Sequence, residues 1–167
     1  MTVTAWKPLE HVGLQGIATT DTTQKHPLGK IVRAVSDTYG EGEFIYLLGV
    51  ASTAVGSIVT YNGLTYATAL APVGTNKAQP VAIAMSANVA SQWGWYQISG
   101  VAVVKKTCTV SLAAGATVGV LTTGLIAASG TGKEVQGALV ATVASATAGR
   151  TTVNVVIDRP HMQGRIT

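Results

Sequence analysis

The stretch from Phe44 to Val104 contains one fully charged side chain, that of Lys77. Gly and Thr interrupt its apolar runs, so none of them reaches the roughly 18 unbroken apolar residues that a membrane span requires. Uncharged side chains tend to be buried, either in a core or under another chain. The stretch therefore predicts a β-rich body and not a membrane protein.

The composition of the whole chain also points to extensive burial. Charged residues make up 11% of the 167 residues, against about 25% in an ordinary globular domain. A chain of this length forms one domain and can bury a core. Its surface must rely on Thr, Ser, Asn, Gln and Gly for solubility, or much of it must be covered by other chains, because interface cores are poor in charge.

Short runs separated by turn residues predict the strands. The clearest signal is a hairpin, in which Gly56–Tyr61 and Leu64–Thr68 flank the pair Asn62-Gly63. An Asn-Gly pair suits a two-residue turn because both of its positions take positive φ. Further strands are predicted at Phe44–Leu48, Pro80–Ser86, Trp95–Val104, Thr107–Leu112, Thr117–Leu121, Leu139–Val143 and Thr151–Asp158.

Alternation within these runs predicts which side chains share a face. In the run from Trp95, one face carries Tyr96, Ile98, Ala102 and Val104, and the opposite face carries Trp95, Gln97, Ser99, Val101 and Val103. No long stripe of helical period is present. We therefore expect an all-β fold, a small β-barrel or β-sandwich that spans residues 44–160.

The two ends of the chain differ from this body. Residues 1–43 hold most of the acidic side chains, and residues 18–27 have neither a helical nor a strand period. We expect residues 1–43 to form an extended N-terminal arm with loops and residues 161–167 a C-terminal tail. On this interpretation, a chain without residues 1–43 still folds.

No motif for catalysis or cofactor binding emerges. The run Ser129–Lys133 lacks two parts of a phosphate loop, since Ala127 stands where a Gly is needed and Glu134 follows the Lys. It reads as a turn between strands. The three histidines have no metal-ligand spacing: His11, His26 and His161. The acids form no convincing acid–base pair, so we predict a protein that is not an enzyme and uses no metal or cofactor.

Charge and cysteine content exclude other classes. The net charge is +4, but the basic residues are scattered and form no stripe, so we predict no direct contact with nucleic acid. The single Cys108 reads as a small buried hydrophobe. The N-terminal sequence has no signal-peptide pattern, so the chain is expected to be made and used inside a cell, or released by lysis.

The aromatic residues are few and concentrated. The chain has three Trp, five Tyr and one Phe, and Trp93, Trp95 and Tyr96 fall within four positions. Neighbouring strand residues point to opposite faces, so a single-layer core could take only one of Trp95 and Tyr96. We take these three residues as candidates for contact with another protein chain, because Trp and Tyr are enriched at hot spots. Alternatively, these residues cap the end of a barrel, or they form a stacking platform for sugars or single-stranded nucleic acid.

The N-terminal region offers a second set of contact candidates. Trp6, Lys7 and Leu9 surround Pro8, and together they could fill a groove on a partner. In the alternative interpretation Trp6 packs on its own body.

A family resemblance rests on the order of four features. They are a Gly-led hairpin (GEFIYLLGVASTAVGSIVTYNG), an aromatic-Gly-aromatic strand (PVAIAMSANVASQWGWYQISGVAVV), a Gly/Ala turn (AAGATVGVLTTG) and a closing strand (VQGALVATVASATAGRTTVNVVIDRP). Over roughly residues 44–160 this order resembles the small capsid decoration proteins, also called head cement or stabilisation proteins, of tailed bacteriophages.

The resemblance implies a structural virion protein made in the host bacterial cytoplasm. Such a protein binds the outer surface of the expanded head and cements neighbouring subunits of the major capsid protein. It also implies self-association, with a homotrimer favoured and a dimer as the alternative. The competing interpretation is a ligand-binding module, such as a carbohydrate-binding head fibre or adhesin, motivated by the aromatic residues.

Overall fold

The computed structural model describes residues 5–9, 14–74, 77–107, 109–146 and 151–164. These residues contain twelve strands and no helix, and the strands join into one antiparallel sheet. The predicted all-β class is confirmed, although the sheet does not close into a barrel. Within these ranges no helix has the length and apolar character needed to cross a membrane.

The strands follow one main path with a short branch. In chain order they are β1 (Lys7–Pro8), β2 (Thr20–Asp21), β3 (Ile31–Ser36), β4 (Gly40–Leu48), β5 (Ile58–Tyr61), β6 (Thr68–Leu70), β7 (Val81–Ala84), β8 (Trp93–Lys105), β9 (Thr117–Thr122), β10 (Leu125–Ala128), β11 (Glu134–Val140) and β12 (Thr152–Met162). The main order is β1-β3-β4-β8-β12-β11-β9-β10. Strand β8 also pairs with β2 and with β7, and β7 continues through β5 to β6.

Strand β8 connects the two halves of the sheet. It is 13 residues long. Its first half pairs with β4 and its second half pairs with β12, and the exchange of partner occurs at Ser99. Gly100 follows with a φ of 97°, and a Cβ there would lie 2.6 Å from the carbonyl oxygen of Glu41. A glycine is therefore required where the strand changes partner.

Three apolar clusters form the core. A large cluster packs between β5, β7, β9 to β12 and the second half of β8. A small cluster lies between β4, β5, β7 and one face of the first half of β8. An aromatic cluster covers the other face of that half, with Phe44, Tyr46 and Trp95 at its centre. The predicted shared face of β8 is confirmed, since its even-numbered residues fill the small and large clusters.

The predicted hairpin forms, but its turn differs from the prediction. Strands β5 and β6 pair with Tyr61 opposite Thr68, so the loop spans residues 62–67. The side-chain oxygen of Asn62 accepts hydrogen bonds from the backbone N–H groups of Leu64 (2.8 Å) and Thr65 (3.0 Å). Asn62 therefore starts a side-chain-capped turn, and the position of positive φ is Tyr66.

Some strand boundaries were predicted incorrectly. The run Thr107–Leu112 is not a strand in its described residues, because the amino group of Lys106 bonds the carbonyls of Thr107 and Val110 and holds this segment as a loop. Strand β10 was not predicted, and β11 ends at Val140 instead of Val143. Residues 129–133 form the expected turn between β10 and β11. Cys108 lies outside the described residues.

The structure corrects the expected boundaries of the arm and the tail. Strand β3 pairs along β4 from Ile31 to Ser36, so the expected boundary at residue 43 falls inside the sheet. Val32 and Ala34 on β3, together with Ile17, are buried in the aromatic cluster. Strand β12 continues to Met162, and residues 165–167 lie outside the described residues. The alternation of buried and exposed residues in β3 was the sequence signal for its place in the sheet.

This packing reverses the expected effect of removing residues 1–43. The truncation would strip β3 from β4 and uncover Trp95 and Tyr46, so we expect a red-shifted Trp emission and no cooperative thermal transition. Removal of residues 1–9, which include only the edge strand β1, should preserve a cooperative transition. A cooperative, native-like melt of the chain lacking residues 1–43 would contradict the packing described.

Gly100 provides a test of the β8 geometry. Gly100→Ala places a Cβ against the Glu41 carbonyl at positive φ, so we expect it to lower the free energy of unfolding by about 2–4 kcal/mol. In the matched control, Gly63→Ala, the new Cβ meets no atom within 4 Å, and the change should stay within about 0.5 kcal/mol. Urea unfolding measures both, and equal effects would contradict the role of Gly100.

Candidate functional site

The structure corrects the prediction that Trp95 and Tyr96 contact a partner. Both side chains are 0% exposed. Trp95 packs in the aromatic cluster and Tyr96 in the small cluster on the opposite face. The sequence argument assumed one packed layer on β8, whereas its first half is buried on both faces. Neither ring can reach another chain while the protein is folded.

Burial also determines the chemistry of Tyr96. It raises the pKa of the phenol to about 12, although hydrogen bonds with Thr68, Asn88 and Thr53 oppose the rise. The side-chain amide of Asn88 donates to the phenol oxygen at 3.0 Å. The hydroxyl therefore stays protonated at neutral pH and has a structural role, and it is no candidate for a base.

A buried polar network holds the segment before β3 against β8. The indole N–H of Trp95 donates to the backbone carbonyl of Gln15 at 3.1 Å, and the Tyr46 hydroxyl donates to the Gln15 side-chain oxygen at 3.0 Å. The Gln15 amide donates to the carbonyls of Thr19 (2.8 Å) and Trp93 (3.3 Å). We call this set the Gln15 network. It satisfies the polar atoms of two buried aromatic residues, which is needed because unpaired buried groups are costly.

His26 completes this network as a hydrogen-bond acceptor. Its Nε2 accepts the backbone N–H of Gln15 at 3.4 Å, and its ring lies 5.2 Å from that of Tyr46 and 5.4 Å from that of Trp95. Burial lowers the pKa of His26, and the charge of Lys30 lowers it further, while Asp21 opposes both. A protonated ring could not accept the Gln15 N–H, so protonation of His26 would remove this hydrogen bond.

The lowered pKa of His26 predicts a loss of stability in acid. Between its ordinary value of 6.5 and the lower folded-state value, the unfolded chain binds the proton and the folded chain does not. The free energy of unfolding should therefore fall as the pH drops through this window. Urea midpoints between about pH 7.5 and 5 measure the slope. His26→Gln should flatten the slope and the exposed control His161→Gln should preserve it; equal slopes in both would contradict the role of His26.

The N-terminal candidates divide between core and surface. Trp6 is half-buried, with its ring 4.9 Å from that of Phe44, so it packs on its own body. The amino group of Lys7 forms an exposed ion pair with Asp37 at 2.8 Å, and Leu9 is 51% exposed. Trp93 is half-buried against the aromatic cluster. In this set Lys7 and Leu9 are exposed, whereas Trp6 and Trp93 keep only part of their surface accessible.

An apolar strip on the outer face was not recognised in the sequence. Leu139 lies opposite Val156 and Thr117, and Val156 lies opposite Val101, so the four residues cross β9, β11, β12 and β8 in one row. Leu139 is 48% exposed and Val156 is 47% exposed. We call this row the outer strip. Val156 was its sequence signal, because it places an apolar side chain on the polar face of β12.

A cleft lies beside the end of β12. Its volume is about 290 Å³. Eight residues line it: Ile31, Tyr61, Ala78, Pro80, Ile98, Arg159, Pro160 and His161. Ile98 and Pro160 are buried at its floor, and the polar groups stand at its rim. The arrangement of apolar walls with a few polar groups is typical of a binding site.

A bulge in β12 positions Arg159 at this rim. Gln136 and Ala138 on β11 pair with His161 and Ile157, so β12 has extra residues between them. Arg159 takes a φ of 41° there, although it precedes a proline, a position that favours extended backbone. A non-glycine residue in this region costs about 1–3 kcal/mol. The sequence shows the Arg-Pro pair but not the bulge, and Arg159 was counted only as one of the scattered basic residues.

The charged and titratable groups of the cleft lie close together. Arg159 donates to a carboxylate oxygen of Glu43 at 2.6 Å. Burial raises the pKa of Tyr61, and the charge of Arg159 opposes that rise. Both residues line the cleft. Within the part of the chain that the structure describes, no group of three or more His, Cys, Asp or Glu could hold a metal ion. The cleft is suited to bind an apolar or aromatic group under a cation.

No protein-family model matches the sequence, and no curated protein is similar to it at a significant level.

Proposed function

We propose that this protein is a capsid decoration protein of a tailed bacteriophage. It binds the outer surface of the expanded head and cements neighbouring subunits of the major capsid protein. It acts as a homo-oligomer, a trimer or alternatively a dimer, without catalysis and without direct contact with nucleic acid or membrane. The sequence resemblance suggests the family, and the outer strip is the observation that carries the proposal.

The outer strip has the properties of a protein contact surface. Its four side chains are uncharged, and two of them are large, apolar and about half exposed. Four neighbouring strands about 4.8 Å apart make a stiff row about 15 Å wide. Covering such a row removes apolar surface from water without stripping water from charges.

One strip is too small for a stable interface by itself. Specific interfaces bury about 1,200–2,000 Å² in total, which four side chains cannot supply. The edge strand β1 offers a second contact, since its strand partner among the described residues is β3, and Lys7 on β1 and Leu9 just after it are exposed. Many copies on one shell add further strength, because each copy that bridges two subunits is held by both.

The carbohydrate-binding alternative was motivated by the aromatic residues around Trp95, and these residues are not available as a platform. An aromatic platform for sugars must be accessible, but Trp95 and Tyr96 are fully buried and Trp93 is half-buried. Among the remaining aromatic residues Phe44 and Tyr46 are buried, and the others are partly buried: Trp6, Tyr39, Tyr61 and Tyr66.

Co-sedimentation with capsids tests the proposal. The purified protein is incubated with expanded capsids and, in parallel, with unexpanded precursor shells of its phage. We expect saturable pelleting with the expanded capsids only, because the binding surface exists only after the subunits rearrange. The bound fraction at saturation gives the number of copies per subunit.

Two matched variants locate the contact. Leu139→Asp puts a charge in the outer strip and should weaken pelleting at least about tenfold, since burying an unpaired charge costs more than 1.4 kcal/mol. Leu64→Asp changes a residue that is 86% exposed at the hairpin tip and should bind normally. Absence of pelleting with either particle contradicts the proposal, and equal weakening by both variants contradicts the role of the outer strip.

A further inference from the structure

We propose that the cleft beside Arg159 is a socket for one aromatic side chain of a protein partner. The identity of that partner as a capsid subunit rests on the proposed function, whereas the socket itself does not. Size, wall chemistry, charge and backbone conformation each support this assignment.

The size of the cleft limits its occupant to one ring system. Its volume of about 290 Å³ lies just below the range of about 300–1,000 Å³ for sites that take drug-sized ligands. A peptide segment or a second domain cannot enter it. A single large side chain that projects from a partner surface fits this volume, as hot-spot residues do at interfaces.

The walls favour a flat apolar group. The buried Ile98 and Pro160 form the floor, while Ile31, which is 39% exposed, stands at the mouth. Tyr61 adds an aromatic ring against which another ring can pack edge-to-face. Pro80, Pro160 and the sheet backbone hold these walls in place, so little conformational entropy is lost on binding.

The charges select an aromatic group over an acid. The Arg159 guanidinium is already paired with Glu43 at 2.6 Å, and Asp158 is its neighbour in the chain. A carboxylate ligand would compete with Glu43 for the guanidinium and would be repelled by its negative charge. An aromatic ring needs only the face of the guanidinium, because a cation within about 6 Å attracts the ring without giving up its ion pair.

The backbone around the cleft is strained in two places. Among the described residues five non-glycine residues have positive φ, and two of them, Ala78 (47°) and Arg159 (41°), line this one cleft. Glycine would fit either position at lower cost. Strain of this kind is concentrated at sites where a side chain must be held in a particular place, and here both strained residues line the cleft.

An NMR titration of the isolated full chain tests the socket. The probe is N-acetyl-tryptophanamide, followed by amide chemical shifts, with N-acetyl-leucinamide and N-acetyl-aspartamide as comparison probes. We expect saturable shifts confined to residues such as Ile31, Ile98 and His161 for the tryptophan probe. The leucine probe should bind about fivefold more weakly without the cation–π contact, and the acidic probe should cause no saturable shift.

Variants separate the socket from general surface binding. Arg159→Gly removes the guanidinium and relaxes the positive φ, so the melting temperature should stay equal or rise while affinity for the tryptophan probe falls about fivefold or more. Ala78→Gly relaxes the same cleft without removing the guanidinium, and it should preserve both affinity and shifts.

Three outcomes would contradict the proposed socket. They are shifts scattered over the surface, equal affinity for the tryptophan and leucine probes, and unchanged probe affinity in Arg159→Gly. No capsid enters this experiment, so its failure leaves the co-sedimentation result standing. Likewise, if co-sedimentation fails, a positive probe titration still supports the socket. Such a failure excludes only the capsid as its partner.

Discussion

The structure depends on the burial of strand β8 on both faces. Trp95 and Tyr96 are neighbours in sequence, point in opposite directions and are both fully enclosed. This is possible only because the small cluster covers one face and the aromatic cluster covers the other. The chain from Leu14 to Tyr46 supplies most of the second cover, so it is part of the body and cannot be regarded as an appendage.

Enclosing three aromatic residues with polar atoms requires hydrogen-bond partners inside the core. The Gln15 network supplies them for Trp95 and Tyr46, and Asn88 does so for Tyr96. The polar side chains of the segment before β3 thus fix its position on the sheet. With the aromatic residues used internally, the surfaces that we propose for partners are the uncharged outer strip, the edge strand β1 and the cleft beside Arg159.

The sequence was informative where a residue's role depends on its own strand, and uninformative where it depends on distant strands. Alternation predicted the shared face of β8 correctly, because side-chain direction has period two. It could not show that the opposite face is also buried, since Gln97 and Ser99 make that face look half-exposed. The bulge that aims Arg159 at Glu43 depends on the pairing of β11 with β12. Val156, in contrast, was a readable signal of the outer strip.

Native-state hydrogen exchange tests the two-faced burial of β8 most directly. If the aromatic cluster and the segment before β3 form one unit with the body, the amides of residues 94–98 should be among the slowest to exchange. The amides of Gln15 and Ile17 should then open with a free energy close to that of global unfolding. Fast exchange in residues 94–98, or opening of residues 14–28 at a much lower free energy than β12, would contradict this account.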